Sequence, residues 1–112
     1  MTPSTIVETH VDRAERHDAG NGIVVHRLFR SGPGPGVRRT LLVRFPPGSR
    51  WPGVDVHEPG PEEVYVVSGT FRGLTGDTSV HGPGTFLHLP AGSSHSPSTD
   101  TGGDLLVHYP EG

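Results

Sequence analysis

The sequence predicts an all-β domain, a sandwich or barrel built from seven or eight short strands. Glycine and proline contribute 17 and 12 of the 112 residues. They lie between short runs of valine, leucine and phenylalanine, which is the pattern of short strands joined by many turns rather than of a disordered chain. No helical period extends beyond two turns. The chain length suits one hydrophobic core and leaves no room for a second.

Each strand is predicted from β-branched or aromatic residues bounded by turn residues. The strongest signal, residues 62–72, is interrupted at Ser68 and Gly69, which predicts a hairpin there. The Gly/Pro-rich residues 31–36 predict a hairpin connection rather than a domain linker. The predicted strands cover residues 22–30, 39–45, 51–57, 62–72, 78–81, 85–89 and 104–109.

We divide the chain into a polar N-terminal arm, residues 1–20, and a single domain, residues 21–112. Within the arm, the segment from Thr5 to Arg16 is polar and mixed. It fits either a short helix or an edge strand.

Composition limits the partners and the location. The formal net charge is −3 and there is no long basic run, so we expect no nucleic-acid partner. No apolar run, residues 105–107 among them, exceeds four residues, which is too short to span a membrane. The N-terminus lacks the basic and apolar regions of a signal peptide, and the chain has no cysteine for disulfides or thiolate metal sites. We therefore expect a cytoplasmic protein.

The eight histidines prompt a search for a metal site. Asp55 and His57 are two positions apart, so they share a face if the segment is a strand. Glu62 follows a four-residue turn, and antiparallel neighbours lie within ~5 Å of each other. His95 comes just after a Pro-Ala-Gly turn. Imidazole and carboxylate groups together suit one divalent ion such as Fe(II), Mn, Zn or Ni.

The chain resembles the cupins in two motifs. His57, Glu62 and Gly69 reproduce the spacing of the second half of the first cupin motif. Gly84, the segment Pro90-Ala91-Gly92 and His95 match the second motif up to its histidine. The resemblance covers residues 40–109, and the segments EEVYVVSGTF and LPAGSSHSP are most similar to the ChrR-like group. It implies a double-stranded β-helix, the cupin jelly-roll barrel, with His57, Glu62 and His95 as metal ligands.

Three positions depart from the cupin pattern. Asp55 stands where the first histidine of the H-x-H motif is expected, Thr99 stands in place of an asparagine, and the glycine before H-x-H is displaced. An aspartate exchanges a neutral nitrogen donor for an anionic oxygen donor, which favours harder metals. Asp55 is therefore either a fourth ligand with a role in proton transfer, or a hydrogen-bond acceptor beside a three-ligand site with open positions.

The resemblance implies a small metalloenzyme of the dioxygenase, isomerase or cyclase type, acting on an oxo or hydroxy organic substrate. The alternative is a non-catalytic sensing module, because ChrR-like cupins also serve as regulatory metal domains. Residues 1–20 are too short for the additional helical domain that grips a sigma factor in those proteins. A metal-free structural cupin is a third option. We expect a homodimer, since small cupins commonly pair through edge strands.

Several other side chains have open assignments. His88 would line the pocket as an acid/base group, or be a half-buried histidine with a backbone partner. Glu63 is expected to face outward, opposite to Glu62, although a slip of one residue would exchange them. Four aromatic residues are assigned either to a pocket wall or to plain core: Trp51, Tyr65, Phe71 and Phe86.

Overall fold

A computed structural model describes residues 5–33, 37–56 and 60–110. These ranges contain one 3₁₀ turn, Val11–Arg13, and no α-helix. No helix within them is long and apolar enough to cross a membrane. The strands are β1 (Glu15–Gly20), β2 (Ile23–Arg30), β3 (Arg39–Phe45), β4 (Ser49–Arg50), β5 (Asp55–Val56), β6 (Glu62–Val66), β7 (Phe71–Arg72), β8 (Val80–His81), β9 (Phe86–Leu89), β10 (Ser94–His95), β11 (Ser98–Thr99) and β12 (Gly103–Tyr109).

The larger layer is a six-stranded antiparallel sheet in the order β1-β2-β3-β12-β6-β9. The last strand, β12, lies in its middle and pairs with β3 from Gly103 to Tyr109 and with β6 from Leu105 to His108. The antiparallel pairing of β2 with β3 agrees with the predicted hairpin connection. Since β12 lies between β3 and β6, the central pairs of the sheet join strands that are far apart in sequence.

The opposite layer consists of a four-stranded sheet, β4-β11-β7-β8, and a two-stranded sheet, β10-β5. All of its strand pairs are antiparallel. Two facing antiparallel layers with this crossing connectivity form a jelly-roll barrel, which confirms the predicted fold class.

The hairpin predicted at Ser68–Gly69 is wrong. The two strands on either side of it, β6 and β7, belong to different layers, so the chain crosses from one layer to the other at this point. Gly69 has a φ of 78°. A Cβ atom at this position would overlap the carbonyl oxygen of Gly102 and lie 2.9 Å from the Cα of Gly103. The crossing therefore requires glycine both for its backbone conformation and for its close approach to the neighbouring chain.

We expect Gly69→Ala to destabilise the fold more than Gly48→Ala. Gly48 also has a positive φ, 70°, but a Cβ there would have no neighbour within 4 Å. Gly48→Ala should therefore cost about 1–3 kcal/mol for backbone strain alone, and Gly69→Ala several-fold more. Urea unfolding of both variants measures the difference. Equal losses of unfolding free energy would show that the close approach of Gly69 to Gly102 and Gly103 does not affect stability.

The core lies between the two layers and follows the strand period of two. In β6, Glu62, Val64 and Val66 are buried whereas Glu63 is half-buried and Tyr65 is exposed. This alternation confirms that Glu62 and Glu63 face opposite sides. The buried apolar side chains are Ile23, Val43, Phe45, Val64, Val66, Phe71, Leu74, Leu89, Leu105, Val107 and Tyr109.

The N-terminal region combines both conformations that the sequence left open. The turn Val11–Arg13 is followed by strand β1, which pairs with β2 at the edge of the large sheet. The sequence did not predict strands at Ser49–Arg50, Ser94–His95 and Ser98–Thr99. Two-residue strands rich in serine carry no alternating hydrophobic pattern, and only pairing with distant partners defines them.

Candidate metal and ligand site

A cavity of about 90 Å³ lies between the layers. Most of its walls are apolar, and it has room for several water molecules or for one small ligand. The polar side chains in its lining are Asp55, Glu62, His95 and Tyr109. An apolar cavity with a few convergent polar groups is the usual form of a small-molecule site.

Three of the polar groups converge on one point. The Nε2 atom of His95 lies 3.2 Å from Oδ2 of Asp55 and 3.3 Å from Oε2 of Glu62. One potential ligand atom from each of the three residues lies within 4.8 Å of the other two. A single cation placed among them would therefore be within reach of all three.

The sheets bring these residues together although they are far apart in sequence. Asp55 and His95 are directly paired across β5 and β10. Glu62 is the first residue of β6 in the opposite layer and points inward with the rest of its buried face. The site thus joins the two layers of the barrel, and it depends on the complete fold rather than on one local motif.

The three side chains differ in access to solvent. The side chains of Glu62 and His95 are 6% and 4% exposed, whereas that of Asp55 is 34% exposed. Glu62 and His95 therefore form the closed end of the site, and Asp55 lies on its open side.

The His95 imidazole is strongly influenced by the two carboxylates. Burial alone lowers its pKa, but hydrogen bonds to Asp55 and Glu62 and the negative charges of both outweigh that effect. Together these effects raise the pKa of His95 from 6.5 to about 9. Without a metal, the imidazole is therefore protonated at neutral pH and occupies the place of a cation between the carboxylates.

Tyr109 is a cavity residue that the sequence did not single out. Burial raises the pKa of its hydroxyl above the ordinary range, and the charges of Glu62 and Asp55 raise it further. The Arg39 guanidinium lies over its ring, 4.2 Å from the centroid. The hydroxyl consequently stays protonated beside the Glu62 carboxylate and remains a hydrogen-bond donor. The inward alternation of β12 would have identified Tyr109 if its register had been known.

The donor set fits a divalent metal ion. Two carboxylate groups and one imidazole suit Fe(II), Mn or Zn. In the described part of the chain, Oε1 of the buried Glu62 has no hydrogen-bond partner of ordinary geometry. A buried anionic oxygen without a partner is costly, and a cation at this point would satisfy it. His57, the remaining predicted ligand, lies outside the described residues.

The structure does not bring His88 into this group. His88 pairs with Glu63 across β9 and β6, and its Nδ1 atom lies 3.0 Å from Oε2 of Glu63. The neighbouring residues Leu87 and Leu89 face inward, so His88 faces outward, and its side chain is 53% exposed. It therefore does not line the cavity, and its polar partner is a side chain rather than the backbone.

The four aromatic candidates separate into three locations. Trp51 lines the cavity and packs against Phe45, with ring centroids 6.5 Å apart. Phe71 is completely buried in the core. Tyr65 and Phe86 are paired on the outer face of the large sheet and are exposed. Only Trp51 therefore serves as a pocket wall.

Comparison with known proteins supports the resemblance drawn from the motifs. A family profile described as the ChrR cupin-like domain matches residues 5–109. No curated protein matches the chain.

Solved structures with the same fold are numerous, and three illustrate their range. An RmlC-like cupin from Shewanella frigidimarina NCIMB 400 is 22% identical, with a TM-score of 0.77 over 96% of this chain and 93% of that one. An acetylacetone dioxygenase from Acinetobacter johnsonii is 17% identical, with a TM-score of 0.75 over 97% and 76%. The complex of Rhodobacter sphaeroides SigE with the anti-sigma ChrR gives 22% identity and a TM-score of 0.69 over 89% and 51%. At these identities the likeness shows the fold.

Proposed function

Because this chain belongs to the ChrR cupin-like family, we propose that it is a metalloprotein that binds one divalent cation and a small organic ligand inside its barrel. The observation that carries the proposal is the convergence of Asp55, Glu62 and His95 within 4.8 Å at the wall of an apolar cavity. His57, two positions after Asp55 in the sequence, is the proposed fourth ligand.

The proposed activity is that of a metal-dependent enzyme on a small oxo or hydroxy substrate, of the dioxygenase, isomerase or cyclase type. A cation in the site would supply Lewis acidity toward a carbonyl or hydroxyl oxygen of the substrate. The apolar walls, among them Trp51 and Val107, would exclude water from the substrate. The Tyr109 hydroxyl would donate a hydrogen bond to a substrate oxygen, and Asp55, on the open side, would accept a proton.

The charge of the site indicates the class of ligand. Asp55 and Glu62 together contribute two negative charges, which balance a divalent cation. A site with histidine at position 55 would keep one net positive charge and would attract carboxylates. We therefore propose that the ligand is a neutral carbonyl or hydroxy compound that fits a cavity of about 90 Å³. The structural likeness to an acetylacetone dioxygenase, named for a small neutral diketone, supports this choice.

The second candidate is a non-catalytic sensing module. The family description and the likeness to the ChrR chain favour it, because ChrR is an anti-sigma factor in complex with its sigma factor. In that case the metal site would serve to report metal or ligand binding, and no turnover would occur.

Turnover with a panel of small molecules distinguishes the two candidates. Purified protein is first examined by elemental analysis, then loaded with Fe(II) or Mn and mixed with neutral diketones, hydroxyketones and small carboxylates. If the protein is an enzyme, we expect one equivalent of bound metal and consumption of a neutral compound. Oxygen uptake and product analysis measure that consumption. Stoichiometric metal without any turnover, combined with a ligand-dependent change in conformation, would favour the sensor. Absence of metal binding would contradict both.

A further inference from the structure

A second cleft lies where the 3₁₀ turn Val11–Arg13 packs beside strands β1, β2 and β3. We call it the outer cleft. Its volume is about 240 Å³, compared with about 90 Å³ for the cavity between the layers. Two valines and four polar side chains form most of its lining: Val11, Val24, Asp12, Arg16, His26 and Arg44.

The large sheet separates the outer cleft from the metal site. Val24 and Arg44 are directly paired across β2 and β3 and both line the cleft. Their neighbours in sequence, Val25 and Val43, line the internal cavity instead. Successive residues of a strand point to opposite faces, so the two spaces lie on opposite sides of the sheet. The outer cleft is therefore a separate site, and what it binds does not depend on the metal.

His26 gives the outer cleft a buried polar group that lacks a partner. The residue is only 8% exposed, and within the described ranges its Nδ1 atom has no hydrogen-bond partner. Its neighbour in β3 is Leu42, which offers no polar side-chain atom. Its neighbour in β1 is Arg16, which also lines the cleft. A buried ring nitrogen without a partner costs stability, and a ligand with a polar atom at this point would remove that cost.

Two arginines on either side of His26 have donors to spare. Arg44 donates from Nε and Nη2 to Asp104, which leaves its Nη1 group available to a ligand. The Nη2 atom of Arg16 lies 3.9 Å from Oδ1 of Asp18, which is beyond hydrogen-bonding distance. Arg16 is in β1 and Arg44 in β3, so their long side chains can approach a ligand placed on β2 from both sides.

An acidic side chain lies at the rim of the same cleft. The hydrogen bonds and the charge of Asp104 raise the pKa of Arg44, and the charge of Asp12 adds to this effect. Asp12 is therefore close enough to act on a ligand that Arg44 binds. Its side chain is 77% exposed, so its carboxylate is open to a hydrogen-bond donor from the ligand.

We propose that the outer cleft binds a small organic carboxylate that also carries a hydroxyl or ammonium group. The planar guanidinium groups of Arg16 and Arg44 match a carboxylate, and Nδ1 of His26 would donate to one of its oxygens. Asp12 would accept a hydrogen bond from the hydroxyl or ammonium group. The hydrocarbon part would lie against Val11 and Val24. Inorganic phosphate fits less well, because Asp12 and Asp18 would repel its second negative charge.

Chemical-shift mapping with the ¹⁵N-labelled full chain tests the proposal. Lactate or glycine should shift the amide signals of Arg16, Val24 and His26 saturably, with a dissociation constant on the order of 1 mM. Acetate, which lacks the donor group, and inorganic phosphate should bind several-fold more weakly. Three outcomes would overturn the proposal: no saturable shift with either compound, tighter binding of phosphate, or shifts confined to residues around Glu62 and His95.

Two variants with the same charge change locate the site. Arg16→Gln should weaken lactate or glycine binding by at least about fivefold, as expected for loss of a charge-assisted hydrogen bond. Arg13→Gln is the matched control, because Arg13 is exposed in the neighbouring turn and does not line the cleft. Its affinity should stay within about twofold of the wild type, as expected for an exposed surface charge. Equal losses in both variants would mean that only the general charge attracts the anion, and would overturn the proposal.

His26→Leu separates a binding role from a structural one. Leucine keeps the position filled but removes the unpartnered nitrogen, so urea unfolding should show stability equal to or above that of the wild type. The affinity for lactate or glycine should fall at the same time. A less stable variant that binds the carboxylate as well as the wild type would show that His26 serves the fold alone, and would overturn the proposal.

Discussion

Replacing Glu62 by glutamine is expected to lower the affinity for a divalent metal by at least about 100-fold. The change keeps the size of the side chain but removes the charge of a buried carboxylate. One oxygen of that carboxylate has no hydrogen-bond partner in the described structure. Even residues that only support a metal ligand contribute 10–100-fold to affinity, so a direct ligand should exceed that range. Competition with a chelator of known affinity, using Mn or Co, measures the loss.

Glu63→Gln is the matched control for this experiment. Glu63 is adjacent in sequence but faces outward, where it contacts His88. Its replacement should leave metal affinity within about twofold of the wild type, as expected for an exposed ion pair. If the two variants lost affinity equally, or if Glu63→Gln lost more, the register of β6 and the ligand assignment would both be wrong.

Metal affinity should rise steeply with pH, by about tenfold per unit from pH 6 to pH 8. In the metal-free protein the pKa of His95 is raised to about 9, so the imidazole is protonated throughout this range. A metal must displace that proton in order to bind Nε2. Calorimetry in buffers with different ionisation enthalpies should detect about one proton released per metal bound. A flat pH profile without proton release would contradict the assigned ligand.

The same pKa shift predicts how stability changes with pH in the metal-free protein. A histidine whose folded pKa exceeds its unfolded value contributes stability that is complete below the unfolded pKa. The contribution of His95 is therefore complete below about pH 6.5 and is lost as the pH rises to about 9. Unfolding midpoints of the metal-free protein should fall over this window, and the variant His95→Gln should not show this part of the decrease.

The fold could be predicted from sequence because its main signals are local. Gly/Pro turns, β-branched runs and the two motif spacings do not depend on the pairing of distant strands. The motifs also placed Asp55, Glu62 and His95 in one candidate site. The crossing at Ser68–Gly69 was mistaken for a hairpin, since a turn residue does not reveal whether the chain returns to the same sheet.

The residues around the site were harder to predict, because their orientation depends on long-range register. His88 and Tyr109 both lie in strands with alternating faces. The pairing of Glu63 with His88 sends His88 outward, while the pairing of β12 with β3 and β6 directs Tyr109 into the cavity. Neither register follows from local sequence, so a shift of one residue would have reversed both assignments.

Crystallography of Mn-loaded or Co-loaded protein, with anomalous diffraction recorded at the metal absorption edge, tests whether Asp55, Glu62 and His95 bind one metal ion. We expect one strong anomalous peak inside the barrel, within bonding distance of Nε2 of His95 and of carboxylate oxygens of Glu62 and Asp55. A peak elsewhere, or none at this position in fully loaded protein, would contradict it.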